Sequence, residues 1–415
     1  MTVFNPELVW IDGEFHPRKS ITVADGVITK IGEGDGSDKG AFIPGFVNAH
    51  SHAFQRGLRG RGETFVSGGD SFWGWREEMY KLVDELSVDQ FRGLCVQSFS
   101  EMRQAGITTV GEFHYFHHDK ENDFAMDRAV LEAADEVGIR LVLLIAFYKH
   151  GGFGKTLSGG QMRFSTQSID AWWQHIDSLV EICDGSLQRI GTVAHSVRAV
   201  DIETIKEIAA GALHRGMPMH IHVEEQRQEI EACLEEHGVT PMALLNDAID
   251  VSPMSTAVHC THTAQADMEQ WISSGGNVCL CPLTEANLAD GVCDLHRIVK
   301  QGGCVSIGTD SNARISMLEE MRWMEYAQRL HREERGVCVD RDGSIASYLF
   351  DAATKNGARC LGIPAGKIEV GKLADFTVID LEHSQLSGCT SETLPIALCC
   401  GADNAVIAKT IVSQS

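Results

Sequence analysis

Histidines and acids recur in this sequence at the ends of short apolar runs, and their types suit a metal-dependent hydrolysis. The pentapeptide Asn48-Ala49-His50-Ser51-His52 directly follows the apolar run Phe42-Ile43-Pro44-Gly45-Phe46-Val47. With that run as a buried strand, His50 and His52 share a face, because side chains two apart on a strand point the same way. Later runs end on Tyr115, on His195 with Arg198, on His222 with Glu225, on His259 and on Asp310. His50, His52, His222 and Asp310 together form an N/O donor set suited to one divalent ion, zinc first, with iron or manganese compatible. An ion held this way lowers the pKa of a bound water to about 7. Asp310 could take that water's proton, Glu225 could ferry protons to a leaving nitrogen, and His259 could hydrogen-bond the nucleophile or polarise the substrate. His220 shares a strand face with His222. We take His222 as the ligand because it is nearer the strand's C-terminal end, and His220 as structural. Any one of the 18 histidines has an ordinary structural explanation. Recurrence at five or more strand ends does not.

Residues at those positions can meet only if the runs belong to one closed sheet. Strand candidates are residues 108–113, 140–147, 190–194, 219–223, 256–258, 278–280 and 305–307, in addition to the strand leading to His50. Helical patterns occupy 88–104, 125–137, 202–213 and 317–330. Eight strand–helix units give an α/β fold, a (β/α)₈ TIM-like barrel, in which active-site groups sit at the C-terminal strand ends. The first 42 residues alternate apolar and polar around Asp12-Gly13 and Asp25-Gly26, a hairpin signature. A similar texture returns at Gly366-Lys367-Ile368-Glu369-Val370-Gly371-Lys372 and Leu373-Ala374-Asp375-Phe376-Thr377-Val378-Ile379-Asp380. We therefore expect residues 1–42 and 366–415 to build a small β-sandwich domain from both termini, with 43–365 as the barrel.

Bulk properties narrow the partners. A formal net charge of −23 argues against nucleic acid or an anionic membrane as partner. It also means that an anionic substrate needs positive charge built into the site. Thirteen cysteines without a CxxC pair suit buried reduced thiols in a cytosolic protein rather than a disulfide framework or zinc knuckle. The N-terminus Met1-Thr2-Val3-Phe4-Asn5-Pro6-Glu7 lacks the features of a signal peptide, and the longest aliphatic stretch, around 141–147, is too short to span a bilayer. A cytoplasmic location is expected. A homodimer is expected only from how common two-fold assemblies are.

The set His50-x-His52, His222, His259 and Asp310, with a split β domain, resembles the amidohydrolase superfamily over nearly the whole chain. Within its deaminase branch, several strings are similar to formimidoylglutamate deiminases. They are His50-Ser51-His52-Ala53-Phe54-Gln55-Arg56, Asp70-Ser71-Phe72-Trp73-Gly74-Trp75-Arg76, Glu112-Phe113-His114-Tyr115, His195-Ser196-Val197-Arg198-Ala199-Val200 and Thr284-Glu285-Ala286-Asn287-Leu288. The resemblance implies metal-dependent deimination of N-formimino-L-glutamate, a small anionic amidine, to N-formyl-L-glutamate and ammonia in histidine degradation, with no organic cofactor. It further implies that Gln55 and His195 contact the formimino group, while Arg76, Tyr115 and Arg198 hold the glutamate carboxylates. The planar fork of arginine suits a carboxylate, and so agrees with the charge argument. Trp73 and Trp75 read as packing. Two departures stand out. The family's Ser-Asp-Ser-His reads here as Thr309-Asp310-Ser311-Asn312, which bears on substrate contact or the shape of the mouth. The chain stops at Ser415, earlier than the resemblance implies, so a trimmed small domain is expected. The competing readings are a purine or other aminoheterocycle deaminase, a ring-opening amidohydrolase resembling imidazolonepropionase, and a non-catalytic barrel scaffold. The last should have lost ligands that this chain keeps.

Overall fold

The β-branched and leucine-rich runs in the middle of the chain are buried on both faces, as parallel strands covered by helices must be. In the computed structural model, which describes residues 1–63, 72–119, 123–183 and 185–414, they form one eight-stranded parallel sheet. Asp70 and Ser71 of one quoted string lie outside the described residues. The sheet runs in sequence order from β7 (Phe46–Ser51) through β8 (Ile107–His114), β9 (Arg140–Phe147), β10 (Gln188–Ala194), β11 (Met219–Val223), β12 (Ser255–His259) and β13 (Asn277–Leu280) to β14 (Cys304–Ile307). The expected strand centres all fall inside these bounds. Last meets first where Thr309 N–H donates to His50 O (3.0 Å) and His52 N–H donates to Asp310 O (2.8 Å). Gly308 permits that approach, because a Cβ there would lie 2.6 Å from His50 Cβ. The result is a (β/α)₈ barrel.

Six strands precede the barrel: β1 (Thr2–Phe4), β2 (Pro6–Ile11), β3 (Glu14–Pro17), β4 (Lys19–Ala24), β5 (Val27–Glu33) and β6 (Asp38–Pro44). Two follow it, β15 (Phe376–Ile379) and β16 (Ile407–Ile411). They make a three-stranded sheet, β1-β4-β5, and a five-stranded sheet, β16-β15-β6-β2-β3. Val9, Ile21, Ile28, Phe42 and Phe376 belong to their shared core. Asp12-Gly13 and Asp25-Gly26 turn two hairpins with positive φ at both residues, as type I′ turns require. Arg140 ties this outer unit to the barrel by a two-pronged contact with Asp375, at 2.9 and 3.1 Å.

Two expectations change. The run Phe42–Val47 is not one strand: β6 ends at Pro44 in the outer sheet and β7 begins at Phe46 in the barrel. Gly45 is the joint, since a Cβ there would collide with Thr108. The C-terminal segment is only partly β. Residues 366–372 form no strand, and a helix, Leu394–Gly401, separates β15 from β16. Its Leu394, Leu398 and Cys399 are buried, and it packs on the helices Met317–Arg332 and Ile345–Ala353.

The helices begin where capping residues stand. Ser87 and Gln90 form a reciprocal capping box at Val88–Gln104, and Asp201 caps Ile202–Arg215 through Thr204 N–H at 3.0 Å. Burial would raise the Asp201 pKa, but the Thr204 bonds and Lys149 outweigh it and hold the carboxyl at about 2. A depressed carboxyl stabilises the fold above its unfolded value and loses that contribution as pH falls towards its folded value. Asp201→Ala should therefore cost about 1 kcal/mol near neutrality, with the gap to the parent protein narrowing below about pH 4. Urea unfolding at pH 7 and pH 3 measures this, and a gap that does not change with pH counts against the cap. Cys95, Cys233, Cys260, Cys279 and Cys281 are buried free thiols. Among the described residues no helix is long and apolar enough to cross a membrane.

Candidate metal centre and substrate cavity

The barrel's seam brings two ligand-bearing segments together. His50 and His52 end β7, and Asp310 follows β14 across the closing hydrogen bonds. Asp310 Oδ1 lies 3.3 Å from His50 Nε2 and 3.2 Å from His52 Nε2. His222, on β11, points its Nε2 to within 3.3 Å of His50 Nε2. Four donors about 2.0–2.1 Å from one tetrahedral ion stand about 3.3–3.4 Å from each other, so these spacings are those of a shared zinc-sized ion. The protonation states agree. His52 Nδ1–H donates to Phe113 O at 2.7 Å, which leaves the Nε2 lone pair facing inward, the usual outer bond of a ligating imidazole. Burial lowers His50 to about 4 and His52 to about 3, and it holds His222 well below the ordinary histidine value. Burial would raise Asp310, but the hydrogen bond and charge of His50, then His52 and His259, hold it ionised well below the usual carboxylate range. Three neutral nitrogens and one anionic oxygen therefore fit a divalent cation. His220 does not join them: its Nε2–H donates to Cys360 O at 3.2 Å.

Beside this set stands a proton-holding group. His259 closes β12 with φ 72° and directs Nε2 towards Glu225 Oε1 at 3.9 Å and Asp310 Oδ2 at 4.0 Å. Its Nδ1–H faces Glu285 Oε1 at 3.4 Å. Burial opposes charging the ring, but Glu225, Glu285 and Asp310 outweigh it and raise its pKa well above the ordinary value. Burial also raises Glu225. Left-handed backbone at His259 and at Asp310 (φ 43°) is strain of the kind that concentrates at functional sites.

One cavity of about 520 Å³ opens above these groups. Every site residue named from sequence lines it except His50, whose ring is fully buried beneath. Gln55 donates through Nε2 to Tyr115 Oη at 2.7 Å, while its Oε1 is buried without a partner among the described residues. His195 is held neutral by burial and by the nearby charges of Arg198 and Arg76. Arg198 keeps Nε and Nη1 buried without partners among the described residues. Among the described residues, no carboxylate lies within ion-pair distance of Arg76 or Arg198.

The structure also corrects the sequence reading. Trp75 lines the cavity and is not mere packing, while Trp73 flanks the Arg76 guanidinium at 5.2 Å. Asn312 is not at the mouth: it is fully buried and donates to Ser51 Oγ (3.0 Å) and His52 O (3.1 Å), so it staples the two ligand segments. Its φ of 55° is one that asparagine tolerates. Tyr80, Tyr148 and Glu285 carried no role in the sequence reading. Tyr148 directly follows the end of β9, and Tyr80 is one helical turn beyond Arg76, so the strand-end rule and the i,i+4 spacing could have found both.

Residues 41–413 match the amidohydrolase family. Formimidoylglutamate deiminase of Pseudomonas aeruginosa is 38% identical over 383 residues, covering 89% of this chain and 84% of that protein. A 5-methylthioadenosine/S-adenosylhomocysteine deaminase of Haloarcula marismortui is 28% identical over 357 residues, covering 85% and 76%. An amidohydrolase from Brucella melitensis superposes with a TM-score of 0.90 at 31% identity, covering 98% of this chain and 94% of that one. A zinc-bound adenosine deaminase from Xanthomonas campestris shares the fold at 21% identity, with a TM-score of 0.81 over 99% and 91% of the two chains. This chain belongs to the amidohydrolase family.

Proposed function

We propose that the protein hydrolyses N-formimino-L-glutamate to N-formyl-L-glutamate and ammonia, with zinc as its divalent ion. The observation that carries the substrate is the pair Arg76 and Arg198, two cations lining the cavity of a chain at −23 with no carboxylate in ion-pair distance among the described residues. Buried guanidinium nitrogens without partners, as Arg198 Nε and Nη1 are among the described residues, are costly, and a substrate carboxylate would supply those partners. The 38% identical Pseudomonas aeruginosa formimidoylglutamate deiminase supports the same reading. When bound, the ion supplies Lewis acidity that brings the pKa of a water near 7.

The chain's own groups divide the remaining work. The unpartnered Gln55 Oε1 accepts an N–H of the formimino group, and the neutral His195 imidazole faces the same end of the cavity. Asp310, ionised, takes the proton of the attacking water. Glu225, its pKa raised by burial, is placed to take up a proton and deliver it to the leaving nitrogen. The imidazolium of His259 stabilises the negative charge that develops between them. Water's oxygen ends on the formyl carbon, the C–N bond to the imino nitrogen breaks, and that nitrogen leaves as ammonia. Zinc-loaded protein should release ammonia from N-formimino-L-glutamate and not from guanine or 5′-deoxyadenosine. Release from a purine alone would overturn the assignment.

A further inference from the structure

Among the residues lining the cavity, Tyr148 Oη lies 3.5 Å from Arg76 Nη2, and the Tyr80 phenol feels the charges of Arg76 and Arg198. Gln161, buried behind them, donates through Nε2 to Tyr80 Oη at 3.0 Å and to Tyr148 Oη at 3.4 Å. The amide cannot be turned over. Its Oε1 accepts Ser158 N–H at 3.2 Å, and a backbone N–H can only donate. The NH₂ group is thereby committed to the two phenols, and each phenol oxygen is used as an acceptor. Tyr148 Oη is an acceptor twice, since Arg76 Nη2 lies 3.5 Å away. Among the described residues neither phenol O–H finds an acceptor, so both protons are left for the cavity. Burial pushes Tyr80 up to about 12, which keeps that proton in place. Among the described residues Arg76, Arg198, Tyr80 and Tyr148 thus form a lobe of donors without acceptors, and its complement is a group of acceptors without donors.

We propose that Tyr80 and Tyr148 are carboxylate-binding residues that set specificity for a dicarboxylate chain, and that Gln161 is the positioning residue that aims both phenol protons at it. This deepens the preceding reading and rests on its anionic substrate. A neutral ring, which brings mixed donors and acceptors, would leave this lobe mismatched.

The test is calorimetric binding of glutarate, with glutaramide as its neutral counterpart, to the zinc-loaded full chain. Glutarate should bind and glutaramide should not. Tyr148→Phe and Gln161→Leu should each weaken glutarate by about 10-fold or more, the range for one hydrogen bond to a charged group. Gln161→Leu made in a Tyr80→Phe/Tyr148→Phe background should weaken it no further, because the amide would act only through the phenols. Gln161→Glu, whose carboxylate would capture the phenol protons, should abolish binding. Zinc content equal to the parent's shows that each variant is folded. Equal losses from Gln161→Leu in both backgrounds, or unchanged binding in Tyr148→Phe, would overturn the proposal. If this binding pattern holds without ammonia release from N-formimino-L-glutamate, the proposed reaction fails and the carboxylate lobe stands.

Discussion

Asp310→Asn is expected to lower turnover by at least about 10³-fold, because one carboxylate serves both the ion and the proton transfer. Asparagine matches the shape of the side chain but can neither carry the negative charge nor take a proton from water. The backbone hydrogen bonds that close the barrel at His50 and His52 do not involve the side chain, so the fold should survive. Metal content should fall as well, since His50 and His52 both face the lost anionic oxygen. Ammonia release and bound-metal analysis on the same preparation read out both effects. Activity within about 10-fold of the parent, with full metal content, would mean that proton transfer and metal binding rest on other groups.

Arg198→Ala should raise KM for N-formimino-L-glutamate by about 100-fold, the range for loss of a buried charge-assisted contact. The effect on kcat should be smaller, because the guanidinium recognises a part of the substrate away from the breaking bond. Guanidinium nitrogens left without partners among the described residues make this residue more than a packing element. Steady-state kinetics on the variant decide the point. A ring substrate would barely register the change, so an unaltered KM would favour an aminoheterocycle over a dianion.

The barrel was legible because its strands are buried on both faces and read as continuous apolar runs, while helices such as Val88–Gln104 and Ala125–Val137 keep a clear 3.6-residue period. The strand-end rule gathered the groups that line the cavity because a parallel barrel places every C-terminal strand end on one rim. What escaped depends on where a segment packs. Phe42–Val47 is apolar throughout, and only the collision that a side chain at position 45 would meet reveals that two sheets share it. Leu394–Gly401 is too short for its period to separate helix from strand, and its burial against neighbouring helices decides. Asn312 looked like a residue of the mouth because it is two positions from Asp310, but its left-handed backbone turns it inward. Tyr80 and Tyr148 gain meaning only from Gln161, which lies far from Tyr80 along the chain.

The outer five-stranded sheet places β15 between β6 and β16. A ribosome delivers β6 early and β15 only after more than three hundred further residues, so the edge of β6 waits, unpaired, through most of translation. The barrel can mature before release, whereas the sheet that braces its base can be finished only once the tail has emerged.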